Sequence, residues 1–159
     1  MRKEIPPNAN SLIMSMRSLG YSLNNAVADI IDNSISAKAT KIDIICSWDN
    51  QEPFVEIKDN GIGMTSEELE EAMRLGSKNP LHERDKEDLG RFGLGLKTAS
   101  FSQAKKLIVK TKQNENTYAA IWDLDLIEKE NKWFMDLEKL DGKNAFKEKE
   151  NATSSLAFT

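Results

Sequence analysis

Three sets of residues in this chain have the types and spacing to do chemistry. The first is Asp29 and Asn33. On a helix, side chains four apart project from one face together. A carboxylate there can orient and deprotonate a water, and a carboxamide oxygen is a hard, neutral ligand for Mg²⁺. Taken alone, a solvated helix face is the plainer reading of this pair. The second set is the run Asp59-Asn60-Gly61-Ile62-Gly63. If strand alternation holds, Val55, Ile57 and Asp59 share one side, so an acid closes a core-facing row and needs hydrogen-bond donors. A planar base with an exocyclic amine would supply one, and the glycines would let backbone approach something flat. Asp-Asn-Gly is also an ordinary turn signal, which leaves an exposed, turn-capping acid as the alternative. The third set is Gly90-Arg91-Phe92-Gly93-Leu94-Gly95-Leu96-Lys97-Thr98. Spaced glycines entering a helix can aim unpaired N–H groups at phosphate oxygens, with the helix dipole and Lys97 adding positive potential. A flexible helix entry reads the same glycines about as well. The wording is neither a Walker loop nor a Rossmann turn, because these glycines follow a long polar loop rather than a strand.

The elements that must position these residues can be read from periodicity and caps. Pro6 and Pro7 mark an extended start, and Leu12 to Leu19 reads as a short helix stopped by Gly20. Ser22 is the expected cap of a helix from Leu23 to about Ser36, with Leu23, Ala26, Val27, Ile30, Ile31 and Ser34 in one buried stripe. Asn25, Asp29, Asp32, Asn33 and Ser36 fall opposite. Ile42, Ile44 and Cys46 alternate as a strand, broken by Ile45, with Cys46 expected in the core. Phe54 to Asp59 is a second strand. Thr65 opens a helix through a capping box to Glu68, with Met64 and Leu69 as hydrophobic staple, and the helix is expected to end at Gly76. Ser77 to Gly90 has a loop composition, and Phe92 to about Gln103 reads as helical. Lys106–Lys112 and Thr117–Asp123 form a hairpin around residues 113–116. Trp133, Phe134, Leu137 and Leu140 suggest one further packed element, and Lys143 to Thr159 a loose tail.

Helices, then strands, then helices, then a hairpin, without regular β-α-β alternation, point to α+β architecture: a two-layer sandwich with helices on one face of a mixed, mostly antiparallel sheet. The expected division is a domain over residues 1–142 with a lid at about 76–97. Residues 143–159 would be a poorly defined tail or the start of a missing C-terminal part, so that the fold reads as C-terminally truncated.

Composition narrows the function classes. The chain has 159 residues and a formal net charge of −4, with one cysteine and one histidine. One cysteine excludes an internal disulfide framework, and one histidine excludes a two-histidine metal motif. No apolar run reaches the length of a membrane span and no signal pattern opens the chain, so a cytoplasmic domain without membrane contact is expected. Residues 65–90 hold four basic and eight acidic side chains, whereas residues 91–112 hold six basic and none acidic. That break suggests anion binding in the second stretch, although a lysine-edged strand explains the charge alone. His82 reads as a loop residue, and Trp122 and Trp133 as packing residues.

Taken in order, Ala28-Asp29-Ile30-Ile31-Asp32-Asn33-Ser34, Asp59-Asn60-Gly61-Ile62-Gly63-Met64 and Gly90 to Lys97 resemble the N-box and the two glycine boxes of the GHKL ATPases, the superfamily of gyrase, the ninety-kilodalton heat-shock chaperone, histidine kinases and MutL. The wording is most similar to the MORC and MutL side, over about residues 11–123. The resemblance implies a Bergerat fold with ATP between helices and sheet. Asp29 would be the catalytic base, one methylene shorter than the Glu that many of these ATPases carry. Asn33 would coordinate Mg²⁺, Asp59 would bind the adenine amine, partly through water, Gly61 and Gly63 would line the base and Met64 would pack on it. Gly93, Gly95, Lys97 and Thr98 would hold the phosphates. It also implies further strands, one carrying a Thr near the adenine, and a transducer domain whose Lys reaches the γ-phosphate.

Three functions compete. The leading one is a Mg²⁺-dependent ATPase whose lid orders around ATP and promotes a nucleotide-dependent homodimer, with DNA-related partners engaged through regions outside this chain. A histidine-kinase-like phosphotransfer module would need a phospho-accepting His ahead of the ATP domain, and none of the residues before the second helix is His. A non-hydrolysing interaction module would use Lys105, Lys106, Lys110 and Lys112 against protein or nucleic acid.

Overall fold

Side-chain caps set where the first three helices begin. The computed structural model describes residues 2–48 except 4, 6, 19 and 21, then 53–75, 100–140 and 154–158. Asn8 accepts the Ser11 N–H at 2.9 Å and opens α1 at Ala9–Arg17, three residues ahead of the expected Leu12. The cap at Asn8 lies upstream of the apolar pattern, which is why periodicity places the start late. Ser22 accepts the Asn25 N–H at 3.2 Å and opens α2, Leu23–Ser36. Thr65 and Glu68 form the reciprocal capping box of α3, Ser66–Met73. This helix stops short of Gly76 because Arg74 turns to an extended ψ of 129°.

The strands are β1 (Ile42–Ser47), β2 (Phe54–Asp59), β3 (Lys106–Gln113), β4 (Asn116–Asp123), β5 (Asp136–Leu140) and β6 (Ser154–Phe158). Residues 100–103 are helical, and α4 spans Leu124–Glu130 between β4 and β5. The sheet order is β1-β2-β6-β3-β4-β5. The architecture is α+β as expected, and the five described pairings are all antiparallel. Of the further element suggested by Trp133, Phe134, Leu137 and Leu140, residues 136–140 form β5, and α4 before it is a helix the periodicity did not announce. The larger difference is at the C-terminal end, where residues 154–158 of the expected loose tail form a strand between β2 and β3.

Register shows which face carries the core. One cross-strand row runs Val55, Phe158, Leu107, Trp122; the next Ile57, Leu156, Val109, Ala120; the third Asp59, Ser154, Thr111, Tyr118. From these two rows Val55, Ile57, Leu107, Val109, Ala120 and Trp122 pack with Ile13 and Met16 of α1, Ile30 of α2, Leu69 and Met73 of α3, Phe101, and Leu124 and Ile127 of α4. The described helices therefore cover one face of the sheet. The third row is the polar end of that same face.

Cys46 is exposed, contrary to the expected core position. It shares a row with buried Val55. Among the described residues β1 is an edge strand, and helix cover fades there, leaving Ile44 46% exposed. Alternation tells which side a residue takes, not whether anything lies over that side.

Candidate functional site

The polar row is organised around Asp59. Its side chain closes β2 on the core side and retains only 9% of its accessible surface. A carboxylate so placed must be hydrogen-bonded. Oδ1 accepts the Gly61 N–H at 2.9 Å and the Ser154 hydroxyl at 2.7 Å, and Oδ2 accepts the Ser34 hydroxyl at 3.1 Å. The donors expected from a ligand are thus met in part by the chain, from β6, from α2 and from the turn after β2. Each serine hydroxyl that donates to Asp59 keeps lone pairs with which it can accept from an amine or a water.

The end of α2 is fixed against the glycine turn. Ala39 N–H bonds to the Ser34 carbonyl and Lys38 N–H to that of Ile35, a Schellman pattern with Lys38 at φ 61°. This presents the Ala37 carbonyl to the Ile62 N–H at 2.9 Å. A Cβ on Gly61 would lie 2.6 Å from that same oxygen, so only glycine lets the turn approach α2. At Gly63, φ is +68° and a Cβ would overlap the Lys112 carbonyl of β3. Next in the chain, the Met64 N–H donates to the fully buried Thr111 hydroxyl at 2.7 Å. Both glycines are therefore required by packing of the turn between α2 and β3, irrespective of what the turn then contacts.

Asp59, Gly61, Gly63 and Met64 are brought together as one turn, with Met64 half-buried against the core. On α2, Asn33 is exposed and Asp29 half-buried, one residue and five residues before the Ser34 that reaches Asp59. An exposed amide oxygen suits Mg²⁺, which takes few protein ligands and completes its shell with phosphates and water. Among the described residues no group of three or more His, Cys, Asp and Glu could hold a metal by itself. Gly93, Gly95, Lys97 and Thr98, with the expected lid and His82, lie outside the described residues.

Sequence reasoning missed three of the residues gathered here. Ser34 left a signal, a polar residue inside an apolar helix stripe, and Thr111 another, as the polar third member of the Leu107, Val109 row. Ser154 left none, since it is 95 residues from Asp59.

The lysine-rich stretch divides between Lys105, just ahead of β3, and one face of that strand. Lys105 is bonded to Asp125 at 2.9 Å, and the hydrogen bond and charge of Asp125 raise its pKa above the usual lysine value. Lys106, Lys110 and Lys112 share the sheet face away from the helices, with Lys106 opposite Asp123 in register. Among the described residues, no helix is long and apolar enough to cross a membrane.

Comparison with known proteins shows the family. The family described as histidine kinase-, DNA gyrase B-, and HSP90-like ATPase matches residues 21–154. ATPase morc-1 of Caenorhabditis elegans is 32% identical over 90 residues, 57% of this chain and 10% of that protein. The DNA mismatch repair protein MutL of Rickettsia prowazekii is 33% identical over 92 residues, 57% of this chain and 15% of its own length. The chaperone protein HtpG of Helicobacter pylori is 33% identical over 106 residues, 60% of this chain and 17% of its own. In each case the matched stretch is a small part of a much longer relative. With the family match running from the cap of α2 into β6, across every described residue of the Asp59 site, the chain belongs to the histidine kinase-, DNA gyrase B- and HSP90-like (GHKL) ATPases.

Proposed function

We propose that this domain binds ATP with Mg²⁺ between α2 and the polar end of the sheet, and hydrolyses it. The observation that carries this reading is the buried Asp59 carboxylate, flanked by the hydroxyls of Ser34 and Ser154. Together they form an acceptor-rich end wall suited to an exocyclic amine, reached directly or through water. Gly61 and Gly63 would line the base and Met64 would pack on it. Asn33 would hold Mg²⁺, which supplies charge neutralisation of the phosphates. Gly93, Gly95, Lys97 and Thr98 would bind the triphosphate. Asp29, one helical turn before Asn33, would orient and deprotonate the attacking water, and its short side chain would favour slow turnover or a relay through a second water. Closure of the lid over ATP would favour a dimer of this chain, because nucleotide shifts the equilibrium only by binding the closed state more tightly. The mismatch-repair relative suggests a DNA-related partner, engaged through other parts of the protein, in the cytoplasm.

A thermal-shift titration with Mg-ATP tests binding. Ligand at a hundred times its dissociation constant adds about 2.7 kcal/mol to stability, so a clear rise in Tm is expected. Asp59→Asn should remove the rise, whereas Asp29→Asn should keep it and abolish phosphate release. No rise in the unaltered chain at millimolar Mg-ATP overturns the reading in favour of a nucleotide-independent module. Normal turnover by Asp29→Asn would overturn the assignment of the base.

A further inference from the structure

We propose that Asn60 is a positioning residue for the base end of this site and sets its preference for a 6-aminopurine, a role that rests on the ATP reading above. Between the end of β2 and Met64 the chain runs Asn60-Gly61-Ile62-Gly63. The two glycines bring no side chain, and that of Ile62 is 66% exposed. Asn60 is therefore the residue whose side chain can anchor this turn. Its Oδ1 accepts the Thr40 and Lys41 N–H groups, each at 2.9 Å, and its Nδ2 donates to the Thr40 hydroxyl at 2.9 Å. Its own N–H reaches the Lys41 carbonyl at 3.3 Å. One carboxamide thus commits its oxygen and one of its N–H groups to a single corner of the chain.

That corner joins α2 to β1. Lys38 takes the left-handed conformation that ends α2, and Ala37 presents its carbonyl to the Ile62 N–H at 2.9 Å. The turn is therefore tied to α2 and to the start of β1 at three successive points. Asp59 reaches Ser34, Asn60 reaches Thr40 and Lys41, and Ile62 reaches Ala37. The Ile62 tie uses backbone alone and stands between two glycines, the residues with the least restricted torsions. Without the asparagine the turn can pivot on those glycines, and the Gly61 N–H can drift from the Asp59 Oδ1 that it meets at 2.9 Å. A purine with an exocyclic amine donates to that carboxylate, whereas one with a carbonyl in the same place sets acceptor against acceptor. Discrimination of this kind requires the acceptor to be held still.

The test compares Mg-ATP with Mg-ITP, the inosine nucleotide, in which a carbonyl replaces the exocyclic amine. Sugar and phosphates are the same in both, so the ratio of the two affinities reads the base end alone. Each is titrated calorimetrically into the whole chain and into Asn60→Ala, Asn60→Asp and Thr40→Val, with tryptophan emission monitoring folding. Asn60→Ala should weaken ATP about ten-fold and ITP by less than about two-fold, so that the preference for ATP narrows. Asn60→Asp should recover most of that preference, because its carboxylate accepts both N–H groups and the Thr40 hydroxyl can turn to donate. A residue that only stabilised the fold would lower Tm and leave the ratio unchanged. If Asn60→Ala does not fold, Thr40→Val decides, with the preference narrowed about two- to three-fold by loss of one bond. An unchanged ratio in the folded variants, equal loss of ATP and ITP, or Asn60→Asp as impaired as Asn60→Ala overturns the proposal, as does the absence of any preference in the unaltered chain. Failure of the unaltered chain to bind ATP at all overturns the function reading, and the role of Asn60 with it.

Discussion

Three segments far apart in the chain converge on the Asp59 carboxylate, and each contributes one donor. Leaving a buried acceptor short of a partner costs about 1–3 kcal/mol. Ser154→Ala is therefore expected to lower stability by about that amount, read as a shifted midpoint in urea unfolding without a change in slope. Gly63 is constrained twice, by its positive φ and by the Lys112 carbonyl. Gly63→Ala should cost more than the ~1 kcal/mol usual for a forced left-handed residue, because β3 must also move, and it should be the more damaging of the two in the same assay. At this scale the site was legible where the signal was local. The Asp-x-Gly-x-Gly turn announced itself, but the partners of its acid did not. Ser34 was readable only as an oddity in an apolar stripe, and Ser154 only through strand pairing.

The elements follow their local chemistry closely. The capping box at Thr65 and Glu68 is formed in both directions, at 3.2 and 2.8 Å. Thr65→Ala should cost about 1 kcal/mol, measured by chemical denaturation, because it removes one half of that exchange at the entry of α3. Since the cap of α3 directly follows Met64, the same change should raise hydrogen exchange at the Met64 amide, which bonds to Thr111. The hairpin of β3 and β4 closes through Asn114 at φ 55°, a conformation that asparagine tolerates better than most residues. By contrast, the solvent-exposed Lys105–Asp125 pair is a weak contributor. Its raised lysine pKa means that what it adds is present at neutral pH and is lost as pH rises through that value. Element starts were readable from caps and periodicity, and the early start of α1 escaped because its cap lies outside the apolar pattern.

For the molecule as a whole, β6 is the keystone of the sheet. It pairs on one side with β2 over Val55–Asp59 and on the other with β3 over Leu107–Thr111, joining β1-β2 to β3-β4-β5. A chain ending before residue 154 would leave two part-sheets with unpaired inner edges and remove a donor from Asp59. It is expected to lose cooperative unfolding and the response to Mg-ATP together, seen in denaturant titration and in native-state hydrogen exchange. The amino-acid sequence by itself determined the helix caps, the hairpin, the α+β class and the order of the chemistry-bearing motifs, because each depends on residues within a few positions of one another. Only the tertiary structure decided that residues 154–158 form an inner strand, that Cys46 lies uncovered on an edge, that Asn60 reaches Thr40 and Lys41, and that Asp59 is satisfied by Ser34 and Ser154. Those outcomes depend on pairing and burial between distant segments, and no local propensity or periodicity encodes which segment will arrive.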